Sequence, residues 1–131
     1  MQYGRLVRDH LARPFTELDE LVRSSGKTVF LNVTADWCVT CKINKALVIN
    51  TEAVSQRLSS DVVPVRGDCT RPDPGIALYL KAHGRYGIPF NIVVGPGAPD
   101  GIVLPELLTT SAVLSAFAKS SNATHSQIEQ H

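Results

Sequence analysis

The stretch Thr-Val-Phe-Leu-Asn-Val-Thr-Ala-Asp-Trp-Cys-Val-Thr-Cys-Lys, from Thr28 to Lys42, constrains this chain more than any other. Its first half, Thr28–Thr34, is dense in β-branched and aromatic residues without polar alternation, the pattern of a strand buried on both faces. Ala35, Asp36 and Trp37 follow, and then two cysteines three positions apart, Cys38 and Cys41. On a helix that spacing is about one turn, so the two sulfurs can meet at bonding distance. A helix that starts here offers its unsatisfied N–H groups and the positive end of its dipole to the first sulfur, which favours a thiolate. The geometry predicts the roles. Cys38 is the exposed nucleophile at the helix tip, and Cys41, one turn inside, is the resolving thiol that breaks a mixed disulfide.

The other use of such a pair is half of a zinc site, which Cys69 and His83 could complete. Those two lie fourteen residues apart across a predicted helix rather than as a second close pair, so the redox reading is preferred and no metal is expected. With 131 residues the chain is the size of one domain that can bury a core without staples. Three cysteines are too few for a disulfide-built fold, and the odd number leaves a thiol over. Thirteen basic against 12 acidic residues, a net charge of +1, speak against a reader of nucleic-acid phosphates. No apolar run approaches the ~18–20 residues of a membrane span, and the charged first 25 residues do not read as a signal peptide.

Period and punctuation place elements around the cysteines. Residues 17–25 read as a helix capped by Thr16, with Leu18, Leu21 and Val22 on one face. Residues 38–58 read as helix in two pieces, broken near Asn50 with Thr51 capping the second. A short strand over 62–66 carries Pro64 and is expected at a sheet edge. Asp73 caps and Pro74 opens a helix that carries Ile76, Leu78 and Leu80 and ends at Gly84. Residues 90–94 form a strand after Pro89, 95–101 a turn, and 102–104 a partner strand. A last helix over 111–119 turns Val113, Leu114 and Phe117 inward. The prediction is an α/β layer architecture with a mixed sheet: one domain over 1–119, its core in 28–119, and a frayed polar tail over 120–131.

Four further features bear on function. Trp37 reads as a partly exposed lid over the cysteine pair, with a core position as the alternative. Pro89 begins a strand directly after Ile88, and on pattern alone a trans bond is preferred there, since cis forms only about 5–6% of X-Pro bonds. Cys69 is expected as a small buried hydrophobe at the end of the second strand. His10, His83, His125 and His131 have no carboxylate or hydroxyl arrangement around them and are expected at the surface.

A strand, then W-C-x-x-C-K opening a helix, then G-I-P before a β-hairpin, resembles the thioredoxin superfamily over residues 28–119. More narrowly, A-D-W-C-V-T-C-K, the broken helix and D-x-T-R-P-D-P resemble the C-terminal periplasmic domain of the transmembrane thiol:disulfide interchange reductases, of the DsbD and ScsB type. The resemblance implies a thioredoxin fold, a central mixed sheet flanked by helices, with a cis Ile88–Pro89 bond facing Cys38. It also implies Trp37, Ile88 and Pro89 as the substrate-binding positions. It implies a reductase without bound cofactor, cycling a Cys38–Cys41 disulfide. Electrons would come from the membrane-embedded part of a larger inner-membrane protein and pass to a periplasmic thiol-disulfide domain or protein. The domain itself would be monomeric and soluble in the periplasm. A free-standing periplasmic thioredoxin-like reductase, serving for example cytochrome maturation, is the alternative; a zinc-binding interaction module is the alternative of another class. The sequence departs from the resemblance at two positions that tune the cysteines. Asn32 stands where thioredoxins usually carry a buried Asp, and Lys45 where the interchange reductases usually carry a Glu. With both acids gone, and Asp36 solvated beside Trp37, Cys38 is expected to ionise readily.

Overall fold

The computed structural model describes residues 26–121. The predicted helix over 17–25 and the residues His10, His125 and His131 lie outside that range. Strand β1, Thr28–Thr34, is buried along all but its last residue. It is the centre of a four-stranded sheet in the order β2-β1-β3-β4. Strand β2, Val62–Asp68, runs parallel to it on one side. Strand β3, Phe90–Gly95, runs antiparallel on the other and pairs in turn with β4, Ala98–Val103. Pro64 sits on the edge strand, where its missing N–H interrupts no ladder. The mixed sheet and its flanking helices are the expected architecture.

Alternation along β1 divides the core in two. Val29, Leu31 and Val33 pack with Val65, Phe90 and Ile92 against helix α3, Pro74–Ala82. Phe30 points the other way, into a cluster with Val54, Val93, Val113 and Phe117. That cluster is covered by helix α2, Glu52–Ser60, and helix α4, Thr110–Ser121. Phe30 and Phe117 meet edge to face with ring centroids 5.9 Å apart.

Helix α1, Val39–Asn44, continues as a π-helical turn over Lys45–Ile49 before the chain breaks at Asn50 and restarts in α2. Thr51 holds the predicted cap position, but its hydroxyl donates to the Val48 carbonyl at 2.6 Å instead of capping α2. Asp73 caps α3 as expected, its Oδ1 accepting from the N–H groups of Gly75 and Ile76. On that helix Tyr79 is buried beside Ile76 and Leu80, whereas Leu78 is exposed: its position turns it away from the sheet. Leu114 is likewise only half-buried, with Ala116 taking the inward place next to Phe117.

Two boundaries differ from expectation for one reason. The turn expected over 95–101 is tighter, because β4 starts at Ala98. Helix α4 runs on through Ser120 and Ser121, residues assigned to the tail. Ser120 is fully buried, its carbonyl accepting the Gly97 N–H at 2.7 Å, and the Ser121 hydroxyl lies 2.8 Å from that of Thr28. The last turn of α4 is thus bolted to the hairpin, which residue-by-residue polarity could not reveal. Gly95 makes this approach possible, since a Cβ there would stand 2.7 Å from the Ser120 carbonyl oxygen and 3.0 Å from Thr28 Oγ1. Gly95→Ala should therefore cost about 1–3 kcal/mol in urea unfolding, with the reduced and oxidised forms equally affected.

Candidate active site

Cys38 and Cys41 are joined by a disulfide, with their Cα atoms 5.2 Å apart. Cys38 is the N-cap of α1: its backbone is extended, and its Sγ accepts the Cys41 N–H at 3.1 Å. The sulfur thus occupies the place an aspartate or serine oxygen takes at other helix starts, facing donors that an anion satisfies best. Cys38 is not exposed in this form, which corrects one expectation. Both cysteines are only 6% exposed, because Ala35 packs with them and Ile88 lies against the group. What distinguishes the two is therefore position along the helix, not accessibility of the closed disulfide.

Two loops frame the pair. Trp37 is 63% exposed and is not a core residue. Its indole Nε1–H donates to the Thr70 carbonyl at 3.2 Å, and the Asp36 N–H donates to Thr70 Oγ1 at 2.9 Å. Thr70 is held in turn by Asp68, whose Oδ1 accepts from both its N–H and its hydroxyl, at 2.8 and 2.6 Å. Asp68 and Thr70 were missed as site residues; the D-x-T spacing after an edge strand is the signal that carried them. On the other side the Ile88–Pro89 bond is cis, as the resemblance implied, and Pro89 is buried. Between the loops lies a largely apolar hollow of about 310 Å³, bordered by Trp37, Cys69, Ile76, Leu80 and Ile88.

Asn32 and Lys45 both line a chamber that Cys41 also borders. Asn32 is 7% exposed on the sheet, and the exposed Lys45 borders the same small chamber of about 140 Å³. Asp36 and Lys42 also line it, and so does Arg66 of β2, which the sequence reading did not single out. Only the β1–β2 register, Asn32 opposite Arg66, brings that residue to the site.

The sequence pattern of the family described as thioredoxin-like matches residues 17–96. The chain belongs to the thioredoxin-like family. Among relatives of this thioredoxin-like chain, the thiol:disulfide interchange protein DsbD of Actinobacillus pleuropneumoniae is 42% identical over 88 residues, 63% of this chain and 15% of that protein. DsbD 1 of Pseudomonas aeruginosa is 31% identical over 78 residues, 60% of this chain and 13% of its own length. The chain therefore spans only a small part of the curated relatives it matches. In fold it is similar to the reduced C-terminal domain of Neisseria meningitidis DsbD, with a TM-score of 0.61 at 24% identity, covering 79% of this chain and 90% of that one. A thioredoxin from Thermus thermophilus gives the same TM-score, 0.61, at 18% identity over 90% of this chain and 94% of that one.

The remaining thiol of this thioredoxin-like domain, Cys69, follows β2 half-buried against the core under α3. Burial first, and then Asp73 and Asp68, push its pKa up to about 11. His83 is not at the surface as expected: it is half-buried, its ring 4.7 Å from Tyr79 and 5.8 Å from Phe90, with Nδ1 3.0 Å from the Tyr79 carbonyl. Among the described residues no three His, Cys, Asp or Glu side chains gather to hold a metal ion.

Three outcomes follow for titration. Alkylation of Cys69, with the disulfide intact, should stay slow at neutral pH and reach half its limiting rate near pH 11. Because the raised pKa belongs to the folded state, the contribution of this thiol to stability should be whole below pH ~9 and be lost as pH climbs toward 11. In reduced Cys69→Ser protein, Cys38 should alkylate with an apparent pKa below the ~8.5 of a free cysteine, and a value above ~9 would contradict the cap geometry.

Proposed function

We propose that this chain is a thiol:disulfide reductase domain that passes electron pairs by dithiol–disulfide exchange, without a bound cofactor. In this reading it is the periplasmic domain of an inner-membrane protein. It accepts electrons from a membrane-embedded partner and reduces a periplasmic thiol-disulfide domain or protein. The observation that carries the proposal is the Cys38–Cys41 disulfide at the tip of α1, with Cys38 Sγ receiving the Cys41 N–H. The relatives named as thiol:disulfide interchange proteins support the reaction class. Among the described residues no helix is long and apolar enough to cross a membrane.

The reduced domain begins with two thiols. The Cys38 thiolate attacks one sulfur of the acceptor disulfide; that bond breaks, and the acceptor's other sulfur leaves with the electron pair and is protonated. Cys41, as a thiolate, then attacks Cys38 Sγ in the mixed disulfide and releases the second acceptor sulfur. The acceptor gains two electrons and two protons, and the Cys38–Cys41 disulfide returns. Trp37, Ile88 and Pro89 would seat the acceptor's backbone beside Cys38, and Trp37 and Ile88 also border the apolar hollow.

Cys41→Ser should accumulate a reducible covalent complex through Cys38 with a disulfide-bearing substrate protein, seen on non-reducing gels. Cys38→Ser should trap at least tenfold less, because Cys41 lies inside the first turn rather than at the helix tip. Equal trapping by both variants would overturn the roles given to the two thiols.

A further inference from the structure

The sheet register lays a polar row under the cysteine helix. Asn32 pairs with Arg66 on β2 and with Asn91 on β3, so the three side chains stand on one face of the sheet, the face that also turns Phe30 and Val93 toward α2 and α4. Asn32 and Asn91 are 7% and 2% exposed, and the Asn91 Oδ1 has no hydrogen-bond partner among the described residues. The buried part of the row is therefore neutral amide. Charge enters at its open end, where Arg66, Lys42 and Lys45 line one chamber together with Cys41. Asp36 is the carboxylate that lines it, and Asp68 faces Arg66 from two residues along β2 at 3.5 Å.

We propose that Arg66, assisted by Lys45, is a positioning residue for Cys41, its charge holding the Cys41 sulfur in the anionic form that exchange needs in both directions. This rests on the reading of Cys41 as the resolving thiol. When a donor thiolate attacks Cys38 Sγ, the Cys38–Cys41 bond breaks and its electron pair stays on Cys41, which leaves faster the better its charge is stabilised. When an acceptor is bound, Cys41 must already be a thiolate to attack Cys38. Its proton goes to solvent. A cation in the chamber serves both steps, whereas a buried carboxylate would oppose them unless it acted as a base. The sheet supplies amides at those places, and the cations supply the rest.

The test uses the reduced domain in a Cys69→Ser background, so that only two thiols report. Excess dithiobis-nitrobenzoate forms a mixed disulfide on Cys38 with release of one thionitrobenzoate, and attack by Cys41 then releases the second. The pH midpoint of this second phase reads the ionisation of Cys41. Arg66→Gln should raise the midpoint by about 0.5–1 unit, while Arg66→Lys, which keeps the charge, should restore it to within ~0.2 unit of the starting protein. At a pH below the midpoint the Gln variant should resolve about three- to tenfold more slowly. Lys45→Gln, at an exposed position, should raise the midpoint by a smaller step and remains readable if Arg66→Gln fails to fold. An unmoved midpoint in Arg66→Gln, or in Lys45→Gln where only that variant folds, overturns the proposal. So does a Lys variant as impaired as the Gln variant, which would place the role in the pairing with Asp68. Release of the second equivalent by Cys41→Ser would instead overturn the resolving role itself, and this proposal with it.

Discussion

Burial of β1 on both faces is the constraint from which the rest of the molecule follows. A strand of this composition cannot lie at an edge or under one layer of helix, because either leaves a row of large apolar groups in water. It must be paired on both sides and covered above and below, and here β2, β3 and the two helical layers do so. The strand must also end somewhere, and it ends at Thr34 with only Ala35, Asp36 and Trp37 before Cys38, the N-cap of the next helix. A helix start delivered at the end of a doubly buried strand is rigidly placed. The Cys38 sulfur inherits that rigidity, and its hydrogen bond from Cys41 N–H is a local detail of a position the core has already set.

The α1–π segment shows a second consequence of the same packing. After Asn44 the helix widens for one turn, and Val48 and Ile49 reach the core while Leu47 stays outside. Asn44 is buried at the junction, its Nδ2 donating to the Glu106 carbonyl at 2.8 Å and its Oδ1 accepting the Leu108 N–H at 2.9 Å. One amide therefore satisfies both polarities of a loop that has no strand or helix of its own. It fastens the far end of the cysteine helix to the chain leading into α4.

Elements whose burial pattern is local are legible in the sequence. The run Thr28–Thr34, the Asp73-Pro74 helix start, the break before Thr51 and the edge position given by Pro64 each carry their reason within a few residues. Features created by distant parts of the chain were not. Ser120 looks like tail material until Gly97 supplies its partner from the hairpin. Arg66 looks like the solvent end of an edge strand until the parallel register sets it opposite Asn32. The hydroxyl of Thr51 serves Val48 rather than the helix it precedes, a choice made by the shape of the π turn. Leu78 reads as core by composition and is exposed by phase. For the cis bond before Pro89, local pattern pointed the wrong way and only family likeness pointed the right one.

The chain of hydrogen bonds from Asp68 through Thr70 to Asp36 and Trp37 has a bearing on association itself. An exposed indole on a free loop would explore many orientations, and a partner would have to select one at an entropic cost of about 0.5–1.5 kcal/mol for that side chain alone. Here the ring is already oriented, and the loop that carries it is tied to the end of β2. Under the proposed function the two loops present one prearranged surface, so less ordering remains for an acceptor that docks there. In the electron-passing role proposed for this domain encounters are short-lived by necessity, since each partner must leave for the next turnover. A surface that is ordered in advance lets recognition be fast without requiring that it be tight.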